Sequence, residues 1–143
     1  MEITQQQIEL VESSAAAVDP VLEGFAAAFY ARLFSQHPEV RPMFQADPGA
    51  QAAKLATELR RIVSALRDPE RFARQVRTLG ERHLRYGVVA SHYDVVGSVL
   101  IATFVDVLGP AFTPELQAAW TAAYGHVAAT MLEASEAAAA AVA

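Results

Sequence analysis

Of the four histidines in this 143-residue chain, His83 is the one that continues an apolar helical stripe. Counting back in helical steps from it gives Leu79, Val76 and Phe72, whereas Arg74, Arg77, Glu81 and Arg85 form the polar face of the same segment. A neutral imidazole aimed into an apolar space is a competent iron ligand, because the uncharged ring offers a nitrogen lone pair. From residue types alone, a hydrogen-bonded core histidine is the commoner role for such a residue. No second His or carboxylate on that face completes a zinc set. His37 precedes Pro38 and reads as a helix-start cap. His92 follows Ser91 in a first helical turn and reads as exposed, and His126 lies beside the Tyr124–Val127 stripe, half-buried.

Three further side chains carry weaker signals. Gln51 lies one turn ahead of Leu55 on the Leu55–Leu59–Ile62 stripe, where it could simply mark the edge of the core. Tyr30 adjoins the Phe29 stripe and Phe44 follows Arg41-Pro42-Met43; both are compatible with plain aromatic packing.

The elements that must position these residues are well punctuated. Asp19-Pro20, Asp47-Pro48, Asp68-Pro69 and Thr113-Pro114 each pair a side-chain acceptor for an orphan amide with a proline that needs no N–H at the first helical position. Thr4 with Gln7 reads as a capping box stapled by Ile3 and Ile8, and Ser91 with Asp94 as a weaker box. Gly87 and Gly109-Pro110 read as stops. Between these marks the apolar period is helical, with no period-two alternation and no hairpin signal. The spacing predicts helices near 4–18, 20–35, 38–43, 48–66, 69–86, 91–108 and 114–138 in one domain spanning 1–143. Val95, Val96, Val99, Leu100, Phe104 and Val107 make the sixth of these apolar on nearly every side. The alanine-rich residues 136–143 are expected to fray.

Apolar residues make up 53% of the chain, enough for a substantial core, and the formal charge of −5 includes no block of like charge. That argues against nucleic acid or an anionic membrane as partner. The absence of cysteine excludes disulfides, iron–sulfur clusters and thiolate-held metals. The opening MEITQQQIEL has no signal-peptide pattern, and Asp, Glu or Arg interrupts each apolar run before it reaches membrane-spanning length. A soluble cytoplasmic protein is expected.

Two long runs, FYARLFSQHPEVRPMF (29–44) and HLRYGVVASHYDVVG (83–97), together with Trp120 and Ala123-Tyr124-Gly125, resemble the bacterial single-domain globins and the haem domain of flavohaemoglobins over nearly the whole chain. The resemblance implies an all-α, three-over-three globin sandwich around haem b, with His83 as the proximal iron ligand. Phe44 would wedge the haem, and Tyr30 and Gln51 would face its distal side with Leu55 as an apolar contact. Leu79, Val88, Tyr93 and Val96 would complete the pocket. One departure stands out: flavohaemoglobins place a glutamate late in the last helix, hydrogen-bonded with the tyrosine at Tyr93 and the proximal histidine, and the matching position here is Ser135. Glu133 and Glu136 would face elsewhere. The second nitrogen of His83 is then expected to use a backbone carbonyl near Leu79. The implied ligands are dioxygen, NO and CO, and reversible dioxygen binding is favoured. The alternatives are a nitric oxide dioxygenase, expected to be served by a separate reductase, and a haem-based gas sensor.

Overall fold

A computed structural model describes residues 3–44 and 47–142. Six α-helices carry the chain: α1 (Gln5–Val18), α2 (Leu22–Gln36), α3 (Pro48–Ala65), α4 (Pro69–Arg85), α5 (Ala90–Leu108) and α6 (Pro114–Val142). Short 3₁₀ turns at Asp19–Val21, Pro38–Met43 and Gly109–Ala111 join them, and no strand occurs among the described residues.

The caps explain most boundaries. Asp47 accepts from the Ala50 amide at 3.1 Å, Asp68 from that of Arg71 at 3.1 Å, and Thr113 from that of Leu116 at 3.2 Å. Thr4 and Gln7 close a reciprocal capping box at 3.0 and 3.1 Å. Gly87 (φ 83°) and Gly109 (φ 54°) end α4 and α5 in the left-handed region, where glycine has no Cβ to clash.

Several expectations need correction. Asp19-Pro20 opens a 3₁₀ turn, not a helix, and has no side-chain cap; the Asp19 carboxylate instead takes Arg60 at 2.7 Å. The Ser91–Asp94 box does not form: α5 starts one residue earlier, and the Val89 amide donates to His92 Nδ1 at 2.9 Å. His37 caps nothing through its ring, which lies 3.3 Å from Glu39, although its backbone N–H ends α2 on the Leu33 carbonyl. The alanine-rich end is helical to Val142, as the high helix propensity of alanine favours; Ala143 lies outside the described residues. Finally, Ala90–Ala111 is long and apolar enough to cross a membrane by length and composition, because Asp94 and Asp106 do not interrupt it sufficiently. In the fold that segment supplies Tyr93, Val99, Leu100, Thr103 and Phe104 to the core.

The core centres on aromatics from three helices. Phe104 of α5 sits 4.5 Å from Phe25 of α2 and 4.5 Å from Trp120 of α6 (ring centroids), with Phe112 stacked at 5.4 Å. The Trp120 indole N–H donates to Ser14 at 2.8 Å, tying α6 to α1 and satisfying a buried donor. Helix α4 lies hard against α6: a Cβ on Gly80 would fall 2.3 Å from the Met131 carbonyl oxygen. This close crossing fixes the helix that carries His83.

Candidate functional site

Helix α2 presents Tyr30, which is 7% exposed, beside Phe29 at 5.1 Å and Phe34 at 5.7 Å. Phe44, at the end of the Pro38–Met43 turn, meets Tyr30 edge-on at 5.4 Å and Phe34 at 5.3 Å. The Asp47 cap starts α3 so that half-buried Gln51 falls in its first turn and donates from Nε2 to the Tyr30 hydroxyl oxygen at 3.2 Å. Because that oxygen accepts from Gln51, the Tyr30 proton is free to be donated elsewhere. Burial pushes the Tyr30 hydroxyl above the usual phenol range, against the Gln51 hydrogen bond, so the proton stays on the oxygen. Tyr30, Gln51 and Phe44 are thus brought together as expected. Phe34, one turn beyond Tyr30, completes the group; its i+4 spacing on α2 was the available sequence signal. The Arg41 guanidinium covers Phe34 at 4.7 Å.

On α4, the His83 ring is half-buried and its Nδ1 lies 2.8 Å from the Leu79 carbonyl, the one-turn-back partner expected from sequence. A carbonyl can only accept, so Nδ1 carries the hydrogen and Nε2 keeps its lone pair. Nε2 makes no hydrogen bond among the described residues. Burial lowers the His83 pKa below the ordinary histidine value, and Arg82 acts in the same direction; the Leu79 hydrogen bond and the Glu58 charge oppose this. The result is a neutral imidazole with one nitrogen oriented by backbone and the other available to a metal. The edge of the Tyr86 ring packs on it at 5.8 Å.

Leu55, Leu79, Val88 and Val96 are half-buried against the core cluster that also contains Tyr30 and Tyr93. Tyr93 is 9% exposed, and its buried hydroxyl has no hydrogen-bond partner among the described residues, His83 included. Its backbone carbonyl instead accepts from Tyr124 at 2.6 Å. Ser135 is 4% exposed and turns its hydroxyl back to the Leu132 carbonyl at 3.0 Å. Glu133 is solvent-facing and pairs with Arg77 at 3.7 Å. Among the described residues no carboxylate reaches Tyr93 or His83 by hydrogen bond. His126 stacks on Phe72 at 4.4 Å, nearly parallel, which accounts for its half-buried position. Among the described residues no group of three or more His, Cys, Asp or Glu could hold a metal ion, so any metal at His83 would need a cofactor to complete its coordination.

The geometry agrees with three comparisons. The globin family model matches residues 27–131. A flavohemoprotein from Deinococcus radiodurans is 32% identical over 133 residues, covering 91% of this chain and 33% of its own length, so the chain spans about a third of the length of the curated relatives it matches. A bacterial globin from Campylobacter jejuni superposes with a TM-score of 0.83 at 26% identity, covering 93% of this chain and 96% of that one. An engineered carbene transferase from Rhodothermus marinus, provisionally assigned as a nitric oxide dioxygenase, gives 0.89 at 29% identity over 99% of both chains. The helix order and the expected all-α globin fold coincide, and the chain belongs to the globin family.

Proposed function

We propose that this chain binds haem b through His83 Nε2 and holds dioxygen reversibly on the side guarded by Tyr30 and Gln51. The observation that carries the reading is the hydrogen bond from Gln51 to Tyr30, which leaves the tyrosine proton free to be donated. Haem, when bound, supplies a ferrous iron that takes diatomic gases and shifts negative charge onto dioxygen.

The protein's own residues do the rest. Tyr30 donates a hydrogen bond toward that charge, and Gln51 polarises the Tyr30 hydroxyl by donating to it, so the two act as a chain, not as independent donors. Phe44, Phe34 and Leu55 keep water from the same space. On the other side His83 offers an oriented, neutral nitrogen. A carbonyl partner at Nδ1 makes the ring less electron-rich than a carboxylate would, which favours holding oxygen over cleaving it. The residues present suit haem: a neutral imidazole with a free Nε2, apolar walls and polar donors opposite.

Nitric oxide dioxygenation is a second reading, favoured by the flavohemoprotein relatives and the Rhodothermus marinus neighbour. Sustained consumption of nitric oxide with a reductase and a reduced nicotinamide cofactor separates the two. The proposed storage role predicts slow consumption, because the reductant only reclaims protein that has become ferric. Consumption as fast as nitric oxide is supplied, at a physiological reductase concentration, would replace it with the enzymatic reading. A cytoplasmic location is part of the proposal and is tested by fractionation.

A further inference from the structure

Although the sequence holds no unbroken block of like charge, folding gathers one. Residues 60–85 contain eight of the 11 Lys and Arg side chains but three of the 16 carboxylates, so the rest of the chain is strongly acidic. On α4, Arg71, Arg74, Arg82 and Arg85 recur at helical spacing and share one face with Thr78. Arg74, Arg82 and Arg85 are exposed, and among the described residues none pairs with a carboxylate; Arg71 is held by Ser64 at 2.6 Å. The remaining cations of the segment are engaged differently. Arg60 pairs with Asp19, Arg61 with Glu58 and Arg67 with Glu12, while Arg77 reaches Glu133 at only 3.7 Å.

This face borders a cleft of about 260 Å³ between α3 and α4, lined by Glu58, Arg61, Arg74, Gln75, Thr78 and Arg82 over Leu79. Gln75 lines the cleft, and its buried Oε1 has no hydrogen-bond partner among the described residues. Leu79 is the residue whose carbonyl orients His83. The arginine face thus flanks an opening one hydrogen bond away from the candidate iron ligand.

We propose that the arginine face of α4 docks an acidic one-electron donor protein that reduces the ferric form of this globin. The inference rests on the haem reading above. Unpaired arginines hold carboxylates by bidentate hydrogen bonds, and a concentrated basic face on an otherwise acidic protein steers an acidic partner to one orientation. The step itself is one electron: it leaves the reduced centre of the donor, which is oxidised, and takes ferric iron to ferrous with no bond made or broken. Docking at the cleft shortens the path from donor to iron, on the side where Leu79 and His83 lie.

The test uses the haem-loaded full chain and a reduced acidic plant-type ferredoxin, mixed by stopped flow from low to high salt. The second-order rate constant is expected to fall at least about tenfold between roughly 20 and 300 mM salt. The double reversal Arg74→Glu with Arg85→Glu, both exposed, is expected to lower it about tenfold or more at low salt while dithionite reduces the protein as before. A rate unchanged by the reversal overturns the proposal. So does a reversal that spares ferredoxin but abolishes sedimentation with phosphatidylglycerol vesicles, which would assign the face to a membrane surface. Calorimetric titration of oxidised ferredoxin into unloaded protein reads docking without haem. If no Soret band forms on haem addition yet this binding disappears in the reversed variant, the haem reading fails and the docking face stands.

Discussion

Replacing Tyr30 with Phe removes one hydroxyl from a 7% exposed site and leaves the ring packing with Phe44 and Phe34 in place. A hydrogen bond to a charged acceptor contributes about 1.5–3 kcal/mol, and each 1.4 kcal/mol is a factor of ten, so dioxygen release should quicken by roughly 10- to 150-fold. The structure selects the lower end of that range. Gln51 donates to the lost oxygen at 3.2 Å; without it, the amide is free to turn one N–H toward the ligand and recover part of the loss. Gln51→Leu leaves the Tyr30 proton in place and removes only a neutral donor, about 0.5–1.5 kcal/mol or roughly 2- to 10-fold. The double variant then loses more than the two singles combined, because neither donor can replace the other. Displacement of dioxygen by excess CO in a stopped-flow instrument gives all four rates. A Tyr30→Phe rate within twofold of the parent would show that the tyrosine proton does not face the ligand, and strictly additive singles would show that Gln51 does not stand in for it.

Three other outcomes follow from the packing and the charges. Gly80→Ala places a methyl group 2.3 Å from the Met131 carbonyl, so α4 and α6 must separate; urea unfolding should show a loss of about 1–3 kcal/mol, and an unchanged midpoint would mean the crossing relaxes freely. Stability of the haem-free chain should be full above pH 6.5 and decline as pH falls below it. The unfolded chain then takes up a proton at His83 before the folded chain does, since burial lowers the folded pKa. His126 is shifted the same way, also by burial, so His83→Phe should flatten part of the slope in urea midpoints and not all of it. Glu133→Ala should leave the iron–histidine stretching frequency of the ferrous form unchanged, because that carboxylate points to solvent and Arg77; a shift would mean it reaches His83.

Much of this architecture is local and therefore readable from the chain. Asp47, Asp68 and Thr113 cap helices within three residues of themselves, and Thr4 and Gln7 do so reciprocally, so the boundaries they set need no tertiary information. Asp19 looks the same in sequence but is claimed by Arg60, 41 residues away, and no local rule anticipates that competition. At α5 the cap falls on Val89 in place of Ser91 and the ring of His92 takes the back-bonding role assigned to Asp94, two residues of register that propensity cannot resolve. The site divides in the same way. His83 and the Leu79 carbonyl lie on one helical turn, so periodicity finds both. Tyr30 and Gln51 lie on different helices, so only family resemblance put them on one side of the haem, and the bond between them came from the fold. The solitary Tyr93 hydroxyl and the arginine face of α4 emerged from packing: the first from what does not surround it, the second from which charges fold together and which are already paired.

Iron ligation by His83, as proposed, is tested most directly by absorption spectra of the haem-reconstituted protein and of His83→Ala, ferric and ferrous, with and without imidazole. The parent is expected to show a Soret band and a five-coordinate ferrous histidine spectrum, which His83→Ala loses and added imidazole restores. An unchanged ferrous spectrum in His83→Ala would place the iron on another residue and contradict the assignment.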